Sequence, residues 1–264
     1  MKENKILISI LVPTYNRVEY LKECLDSIVE QKWFDLNELE LIVSDNSEWD
    51  ETRNFMEKYM KENKDWNVVY NKNKKNLWMV WNRNKLLELK KWEYYIFLSD
   101  DDKFYNMNSL RLLYDNLMNY DLDACYWKYR VIDWEWNDKW DFGPHTKIWN
   151  NEIYYDSFEE QIQMHSISFW WILYRKFWYR YDYQSKWFSD WTMNLQYLYN
   201  NKKVALINEY TLYYRIHDSN DSNTIPRYFD LKFLLHTYNY FNISFWLRIK
   251  YIMCKIINKL KRVF

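Results

Sequence analysis

Three adjacent carboxylates are the residues in this sequence best suited to chemistry. The segment YYIFLSDDD, residues 94–102, resembles an apolar strand that ends at Asp100, Asp101 and Asp102. Carboxylate oxygens are the ligands that Mg²⁺ and Mn²⁺ prefer, and these ions commonly keep phosphate oxygens in their remaining positions. The alternative is a turn whose aspartates cap the next helix. Three carboxylates after a buried strand favour the metal site.

The first hundred or so residues alternate between short apolar runs and segments with helical spacing. This alternation predicts an α/β fold with a mostly parallel sheet, because parallel strands are joined by helical crossovers. The predicted strands cover residues 6–12, 39–45, 67–71 and 94–102, and the predicted helices cover 18–30, 50–63 and 81–90. Ligands of such sheets bind beyond the carboxyl ends of the strands. We therefore expect PTYNR, SDNS and SDDD, which follow three of the strands, at one edge of the sheet.

The remainder of the chain is less regular. It contains a predicted helix at 107–119, a strand near 123–131, an irregular stretch at 133–150, a helix near 189–200, and two strands, KVALIN and EYTLYYRIH. No linker rich in Pro, Gly or Ser separates these elements from the first part. We expect one domain over residues 1–226, followed by a helical tail over 227–264.

The bulk composition excludes several classes of function. The 264 residues include 37 basic and 37 acidic side chains, so no overall field attracts nucleic acid. Three widely spaced cysteines, Cys24, Cys125 and Cys254, disfavour a disulfide framework or a zinc site. The apolar run near the N-terminus is short for a secretory signal, and no run approaches the roughly 20 residues of a membrane span. These features predict a cytoplasmic protein.

Tryptophan and glycine occur in unusual proportions. The chain has 17 tryptophans and one glycine, and the two together make about 7% of it, the usual share of glycine alone. Trp49, Trp92 and Trp187 stand in turn or boundary positions, where glycine commonly provides a positive φ or a close backbone approach. Trp78 and Trp81 stand where a chain that enters a helix usually has small residues. Our hypothesis is that many tryptophans are glycines in the native protein, encoded by a UGA codon that its genome reads as glycine. The alternative is a protein that is truly rich in tryptophan.

Four segments carry a resemblance to a known family. SILVPTYNRVEYLKECLDSI, LIVSDNS, NLWMVWNRN and EYYIFLSDDD, in this order and spacing, resemble an inverting glycosyltransferase of family 2 with the GT-A fold. With glycine in place of tryptophan, the third segment becomes NLGMVGNRN and the likeness is closer. The resemblance implies that residues 1–105 bind a nucleotide-diphosphate sugar, with a UDP-sugar favoured, and that residues 106–226 bind the acceptor.

The resemblance also implies which residues contact the donor. They are Pro13, Thr14, Tyr15, Arg17, Asp45, Asn76, Arg83, Asp100 and Asp101. The Tyr15 ring could stack on the base, and Asp45 would accept a hydrogen bond from the base. The residues by themselves leave alternatives open: a turn at PTYN, an Asx turn at Asp45 and a solvent-exposed Arg83.

The metal ligands implied by the resemblance are Asp101, Asp102 and His217, which would hold Mg²⁺ or Mn²⁺ in the DxD region. A lone histidine is equally compatible with a structural role. The implied general base is Asp190, within WFSDWTMNL, which would take a proton from the acceptor hydroxyl. Its alternative role is that of an ordinary helix N-cap. The segment FWWIL, residues 169–173, would become a glycine loop, FGGIL, under the codon hypothesis.

The function implied is sugar transfer to a glycan or lipid-linked acceptor during assembly of a surface polysaccharide or glycolipid. The alternatives are a non-catalytic GT-A-like module or a nucleotidyltransferase, although PTYNR is unlike the glycine-rich loop of the latter. The tail predicts peripheral contact with an anionic membrane, or else packing against the domain. Its predicted apolar stripe comprises Phe245, Ile249, Ile252, Ile256, Leu260 and Val263.

Overall fold

The computed structural model describes residues 8–32, 34–133, 135, 137–142, 153–164, 172–175, 179–184, 189–218 and 229–260. In the first part of the chain the predicted strands and helices are present. They are β1 (Ile8–Thr14), α1 (Val18–Val29), β2 (Leu39–Asp45), α2 (Glu51–Glu62), β3 (Asn67–Lys72), α3 (Trp78–Leu89) and β4 (Tyr94–Phe97).

The largest differences in boundary in this part are at the end of β4 and the start of α3. The strand expected to continue to residue 102 ends at Phe97, because the chain turns beyond it and the amide of Asp102 donates to the carbonyl of Ser99 at 3.1 Å. Helix α3 begins at Trp78 rather than at residue 81. The three carboxylates therefore lie on a turn that projects from the end of β4.

The strands and helices of the second part vary more in length than those of the first. They are β5 (Lys103–Phe104), α4 (Ser109–Asn119), β6 (Ala124–Ile132), β7 (Asp138–Phe142), β8 (Ile153–Tyr155), α5 (Phe158–Met164), β9 (Leu173–Tyr174), α6 (Ser189–Tyr199), β10 (Val204–Arg215), α7 (Phe229–Tyr240) and α8 (Phe245–Leu260). The prediction of two strands in residues 203–217 was wrong. They form the single strand β10, whose register with β6 shifts between Ile207 and Leu212, and such bulges let a strand bend without leaving its sheet. Residues 169–171 of the FWWIL segment lie outside the described residues.

Within the described part of the chain, ten strands form one sheet. Its order is β3-β2-β1-β4-β9-β6-β10-β5, with β7 beside β6 and β8 beside β10. The longest pairings, among β1, β2, β3 and β4 and between β6 and β10, are parallel, whereas the short strands β5, β7, β8 and β9 pair antiparallel. The predicted α/β class, with a central sheet flanked by helices, is confirmed. Among the residues that were described, no helix is both long and apolar enough to cross a membrane.

The core forms where the apolar runs predicted it. Every residue of β2 is buried, and β1 and β4 are buried beside it, as is typical of parallel strands covered on both faces. Glu40, within β2, is fully buried and accepts a hydrogen bond from the Ser9 hydroxyl at 2.7 Å. A second apolar cluster joins α5, α6, α7 and α8. The sheet thus provides a rigid edge, and the helical cluster supports α6 beside it.

The first residue of α3 has a backbone conformation that suits glycine. Trp78 has a φ of 63°, and its side chain is 75% exposed. The left-handed region costs a residue with a Cβ about 1–2 kcal/mol, and an exposed indole recovers little of that by burial. Trp81, in the interior of α3, is not among the described residues of positive φ, and its ring stacks on Tyr183 with centroids 3.8 Å apart. Position 78 therefore supports the hypothesis of a native glycine.

We expect Trp78→Gly to raise the free energy of unfolding by roughly 0.5–1 kcal/mol, because glycine adopts this φ without steric cost. Trp81→Gly is the matched control, and we expect it to lower stability by a similar amount, because glycine is unfavourable in a helix interior. Urea unfolding of the two variants measures both effects. A Trp78→Gly protein no more stable than its parent would contradict the argument, and a UGG codon at this position would exclude recoding there.

Candidate functional site

The polar residues that follow β1, β2 and β4 lie together at one edge of the sheet. The Thr14 hydroxyl donates to Oδ2 of Asp100 at 2.7 Å, which joins the end of β1 to the turn after β4. Thr14 is also the register partner of Asp45 at the end of β2. The adjacency follows from the parallel pairing, since the carboxyl ends of neighbouring parallel strands point the same way. PTYNR, SDNS and SDDD therefore share one edge.

Arg17 bridges two of the carboxylates. Its guanidinium nitrogen Nη2 lies 2.7 Å from Oδ1 of Asp100, and its Nη1 donates to Oδ2 of Asp101 at 2.5 Å. Burial raises the pKa of Asp100 to about 6, against the opposing charge of Arg17. Burial also acts to raise the pKa of Asp101, but the hydrogen bond from His217 and the charge of Arg17 outweigh it and hold that pKa below its usual value. Asp101 is thus ionised at neutral pH, whereas Asp100 titrates at a pH close to neutral.

The end of β10 closes this group of charges. His217 Nε2 lies 3.0 Å from Oδ2 of Asp101, and the amide of Arg215 donates to Oδ1 of Asp102 at 3.1 Å. The guanidinium of Arg215 contacts Glu23 and lies 4.6 Å from the centre of the Tyr20 ring. We call Arg17, Asp100, Asp101, Asp102 and His217 the carboxylate cluster. It joins residues from both halves of the chain.

The carboxylate cluster has donor atoms of the types that bind Mg²⁺ or Mn²⁺, namely carboxylate oxygens and an imidazole nitrogen. In the structure, however, Asp101 faces Arg17 and His217, and Asp102 accepts from the backbone of β10. Within the described residues no group of three or more His, Cys, Asp or Glu side chains is arranged to hold one ion. The predicted ligands Asp101, Asp102 and His217 therefore have chemically suitable donor atoms, but in this arrangement they do not form one ion site, and Arg17 pairs with Asp101.

Asp45 is buried at the end of β2 and is engaged by its neighbours. Its Oδ1 atom accepts the amide of Ser47 at 2.6 Å, which is the Asx turn that the residues left open as an alternative. Its Oδ2 atom accepts from the Tyr70 hydroxyl at 2.6 Å and from Lys72 Nζ at 3.0 Å. Sequence reasoning missed Tyr70 and Lys72. Lys72 ends β3, so the strand-end rule applied to the other three strands would have found it, whereas Tyr70 lies within the strand.

Tyr15 and Asn76 lie on the solvent side of the same edge. Tyr15 is exposed, and its hydroxyl donates to Glu48 at 2.9 Å, which raises the pKa of Tyr15, while the side chains of Asn76 and Asn16 oppose the rise. Pro13 pairs with Ser44 within the sheet, so the turn that carries Tyr15 starts from a fixed position. The exposed phenol ring is available to a planar ligand.

Three consecutive residues of α3 are buried against three different parts of the chain. Asn82 donates to the carbonyl of Ser44 at 2.9 Å, and Asn84 exchanges hydrogen bonds of 2.9 and 2.8 Å with the backbone of Tyr181. Between them, Arg83 is fully buried and its NH1 atom donates to the Ser189 hydroxyl at 3.1 Å. The alternative of a solvent-exposed Arg83 is therefore wrong. The NRN sequence joins β2 to the start of α6.

Asp190 lies in the first turn of α6, directly after the residue that Arg83 contacts. Its side chain is 2% exposed. Burial raises the pKa of this carboxyl, while the charge of Arg83 and the amides of Trp191 and Asp190 itself oppose the rise. Because α6 begins at Ser189, Asp190 lies within the helix rather than at its N-cap. A carboxylate whose pKa is raised towards neutrality has the property expected of a general base.

The structure thus places the predicted site residues in two adjoining groups rather than one. The carboxylate cluster lies beyond β4, and Asp190 with Arg83 lies beside the start of α6. The Tyr181 ring connects them, since it stands 5.3 Å from the Arg83 guanidinium carbon and packs edge-on against Phe97, the last residue of β4, at 5.4 Å. The carboxylate cluster suits a cation or a phosphate-bearing ligand, whereas the Asp190 group suits proton transfer.

Comparisons with known proteins agree with this architecture. The family model described as Glycosyl transferase family 2 matches residues 9–181. The chain is similar to the processive diacylglycerol beta-glycosyltransferase of Mycoplasma genitalium, with 31% identity over 117 residues, which are 44% of this chain and 33% of that protein. Several curated relatives, including this one, are matched over about a third of their own length.

Two solved structures share the fold. The crystal structure of S. aureus TarS 1-349 in complex with UDP-GlcNAc superposes with a TM-score of 0.64 and 19% identity, covering 83% of this chain and 61% of that one. The mannosyltransferase PcManGT of Pyrobaculum calidifontis, in complex with GDP-Man and Mn²⁺, has a TM-score of 0.57 and 12% identity, covering 95% and 74% of the two chains. The predicted GT-A fold is confirmed by these likenesses.

We expect Arg17→Met to destabilise the protein by roughly 2–4 kcal/mol at pH 8, because it leaves two buried carboxylates without their counter-charge. The loss should be smaller at pH 5, since protonation of Asp100 removes one uncompensated charge. Urea unfolding at both pH values measures the difference. Arg111→Met is the control: its pair with Asp115 is exposed on α4, and little change is expected. Equal losses for Arg17→Met at the two pH values would contradict this account.

Proposed function

Because the chain belongs to glycosyl transferase family 2, we propose that it transfers a sugar from a nucleotide-diphosphate sugar to an acceptor hydroxyl, with inversion at the anomeric carbon. A UDP-sugar is the favoured donor. The observation that carries the proposal is the pairing of a charged cluster at the sheet edge with a buried aspartate of raised pKa beside it.

The first half of the chain has the features that a nucleotide requires. The exposed ring of Tyr15 can stack on the base, next to Asn76. Asp45 is held by Tyr70 and Lys72 at the adjoining strand end, where it can accept a hydrogen bond from the base. Arg17 provides positive charge and donors for the diphosphate, and the Thr14 hydroxyl orients Asp100 beside it. We therefore assign the nucleotide to residues 1–105 and the acceptor to residues 106–226.

Asp190 is the proposed general base. It would accept the proton of the acceptor hydroxyl while that oxygen attacks the anomeric carbon from the face opposite the diphosphate. Arg83 holds Ser189 and the start of α6 in place, and its charge opposes the rise in the pKa of Asp190 that burial causes. Burial of this carboxylate also excludes water, which favours transfer to the acceptor over hydrolysis of the donor.

A divalent cation, Mg²⁺ or Mn²⁺, is proposed as cofactor, with Asp101, Asp102 and His217 as its ligands. When bound, it would supply Lewis-acid stabilisation of the negative charge on the departing diphosphate. The donor types of the carboxylate cluster support this proposal, as does the Mn²⁺ in the PcManGT complex of the same fold.

The acceptor is proposed to be a glycan or a lipid-linked glycan, in the assembly of a surface polysaccharide or glycolipid. The names of several relatives support this class: one acts on diacylglycerol, and another transfers glucose to an undecaprenol-linked oligosaccharide. A non-catalytic module of the same fold would bind the nucleotide without turning it over, so turnover distinguishes the two.

We expect the protein to transfer or hydrolyse sugar from at least one member of a UDP-sugar panel, and Asp190→Asn to slow the reaction about 10²–10⁴-fold. UDP affinity should be unchanged, because this residue does not hold the nucleotide. A raised pKa keeps Asp190 protonated up to a higher pH than an ordinary aspartate, whose pKa is about 3.9. On acidification, the rate should therefore begin to fall at a higher pH than it would with an ordinary aspartate as the base.

Asp156→Asn is the matched control for this variant. Asp156 is a partly buried aspartate whose pKa is also raised, to about 7, but it adjoins Val204, at the start of β10 and far from His217. The Asp156→Asn variant should therefore retain the parental rate of sugar transfer or hydrolysis. If Asp190→Asn turns over donor as fast as its parent, Asp190 is not the base; if the parent binds UDP but turns over no donor, the protein is a binding module.

Metal dependence is measured separately by calorimetric titration of UDP with Mn²⁺ and with EDTA. We expect tighter binding in Mn²⁺, and we expect Asp102→Asn to weaken the apparent Mn²⁺ affinity by about 10–100-fold or more. Asp115→Asn, an exposed carboxylate on α4, is the control and should behave as the parent. Equal UDP affinity in Mn²⁺ and EDTA would refute the proposed cofactor without bearing on Asp190.

A further inference from the structure

Helix α8 exposes a group of large apolar side chains. Phe245 is 68% exposed, and Trp246, Ile249 and Met253 are also exposed on successive turns. Lys250 stands exposed among them. We call these five residues the outer face of α8. Contiguous exposed apolar side chains of this size mark a surface that is covered by a partner.

The opposite side of α8 is fixed to the protein. Tyr251 is buried, and Ile252 packs against the same apolar cluster of α5, α6 and α7. Arg248 donates to the carbonyl of Ile243 and to Oδ1 of Asn239, each at 2.6 Å, which locks the start of α8 to the end of α7. The outer face is therefore a defined surface rather than a loose tail.

The structure divides the apolar stripe that the sequence predicted. Ile252 faces inward, whereas Phe245 and Ile249 face outward together with Met253, which the prediction omitted. The side chains of the remaining predicted members lie outside the described residues. The expected packing is thus found on the inward side of the helix, and the side chains on its outward side are exposed.

The charge of α8 indicates which kind of partner covers the outer face. The 16 residues of α8 include four basic side chains, Arg248, Lys250, Lys255 and Lys259, and no acidic one. A second copy docking through the same face would bring Lys250 towards its counterpart with no carboxylate on α8 to compensate. An anionic lipid surface supplies both an apolar layer for the aromatic and aliphatic side chains and negative charge for the lysines.

We propose that the outer face of α8 is an interfacial helix that lies on an anionic lipid bilayer. The helix, about 24 Å long at 1.5 Å per residue, lies along the surface rather than across it. Phe245, Ile249 and Met253 insert between the lipid headgroups, and Lys250 contacts the phosphates. This arrangement does not depend on whether position 246 is tryptophan or glycine in the native protein. This inference is independent of the proposed transferase activity.

The test is co-sedimentation of the full chain with vesicles, without nucleotide or sugar. Vesicles of phosphatidylcholine and phosphatidylglycerol in a 7:3 ratio should bind the protein, and vesicles of phosphatidylcholine alone should bind it at least about fivefold more weakly. Raising the salt concentration should weaken binding to the anionic vesicles, since the lysine contribution is screened.

Ile249→Glu should reduce the partition coefficient about tenfold or more, because it places a charge in the apolar layer. Lys250→Glu should reduce it at least about fivefold. Val29→Glu is the matched control: Val29 is 41% exposed and Ile249 40%, but Val29 ends α1, on another part of the surface. It should bind as the parent does, and circular dichroism should show all three variants folded.

The proposal is overturned if Ile249→Glu binds anionic vesicles as well as its parent, or if both kinds of vesicle bind equally. It is also overturned if sedimentation velocity without lipid shows a dimer that Ile249→Glu dissociates, since a second copy would then cover the outer face. Because no donor sugar is present, none of these outcomes depends on whether the protein is a transferase.

Discussion

The site depends on one electrostatic constraint, the compensation of buried carboxylates at the sheet edge by Arg17. Asp100 and Asp101 are both removed from water, and two uncompensated charges in that setting would cost several kcal/mol. Arg17 contacts both, and it can do so because β1 and β4 are parallel neighbours whose ends emerge together. Arg17 lowers the pKa of both carboxyls, but the hydrogen bond with His217 lowers that of Asp101 further, whereas burial raises that of Asp100.

A second set of contacts joins residues 1–105 to residues 106–226. Asn82, Arg83 and Asn84 reach β2, Ser189 and Tyr181 respectively, so one turn of helix touches three distant parts of the chain. The contact of Arg83 with Ser189 fixes the start of α6 and thereby the position of Asp190. A rigid connection between the two groups is what positional catalysis needs, because small displacements of reacting groups are costly.

Much of the fold could be predicted from the sequence. Apolar runs and helical spacing identified β1, β2, β3 and the helices between them, and the strand-end rule gathered Thr14, Asp45 and the carboxylates. The family resemblance singled out His217 and Asp190. Boundaries were less predictable: β4 ends before a turn closed by the hydrogen bond between Asp102 and Ser99, and the continuity of β10 depends on its pairing with β6, which local pattern does not contain. At Trp78, by contrast, the positive φ of the backbone supports the hypothesis of a native glycine, which the composition had suggested.

The sequence by itself determined the periodicity of the strands and helices, the residues that follow each strand, and the basic, acid-free composition of α8, because these are local properties. The tertiary structure decided which groups meet. The contacts of Arg83 with Ser189 and of His217 with Asp101 span 106 and 116 residues, and no local rule predicts such pairs. It also decided that Ile252 packs inward while Ile249 stays exposed. Burial depends on what the rest of the chain places against a side chain, which the spacing of residues along one helix does not specify.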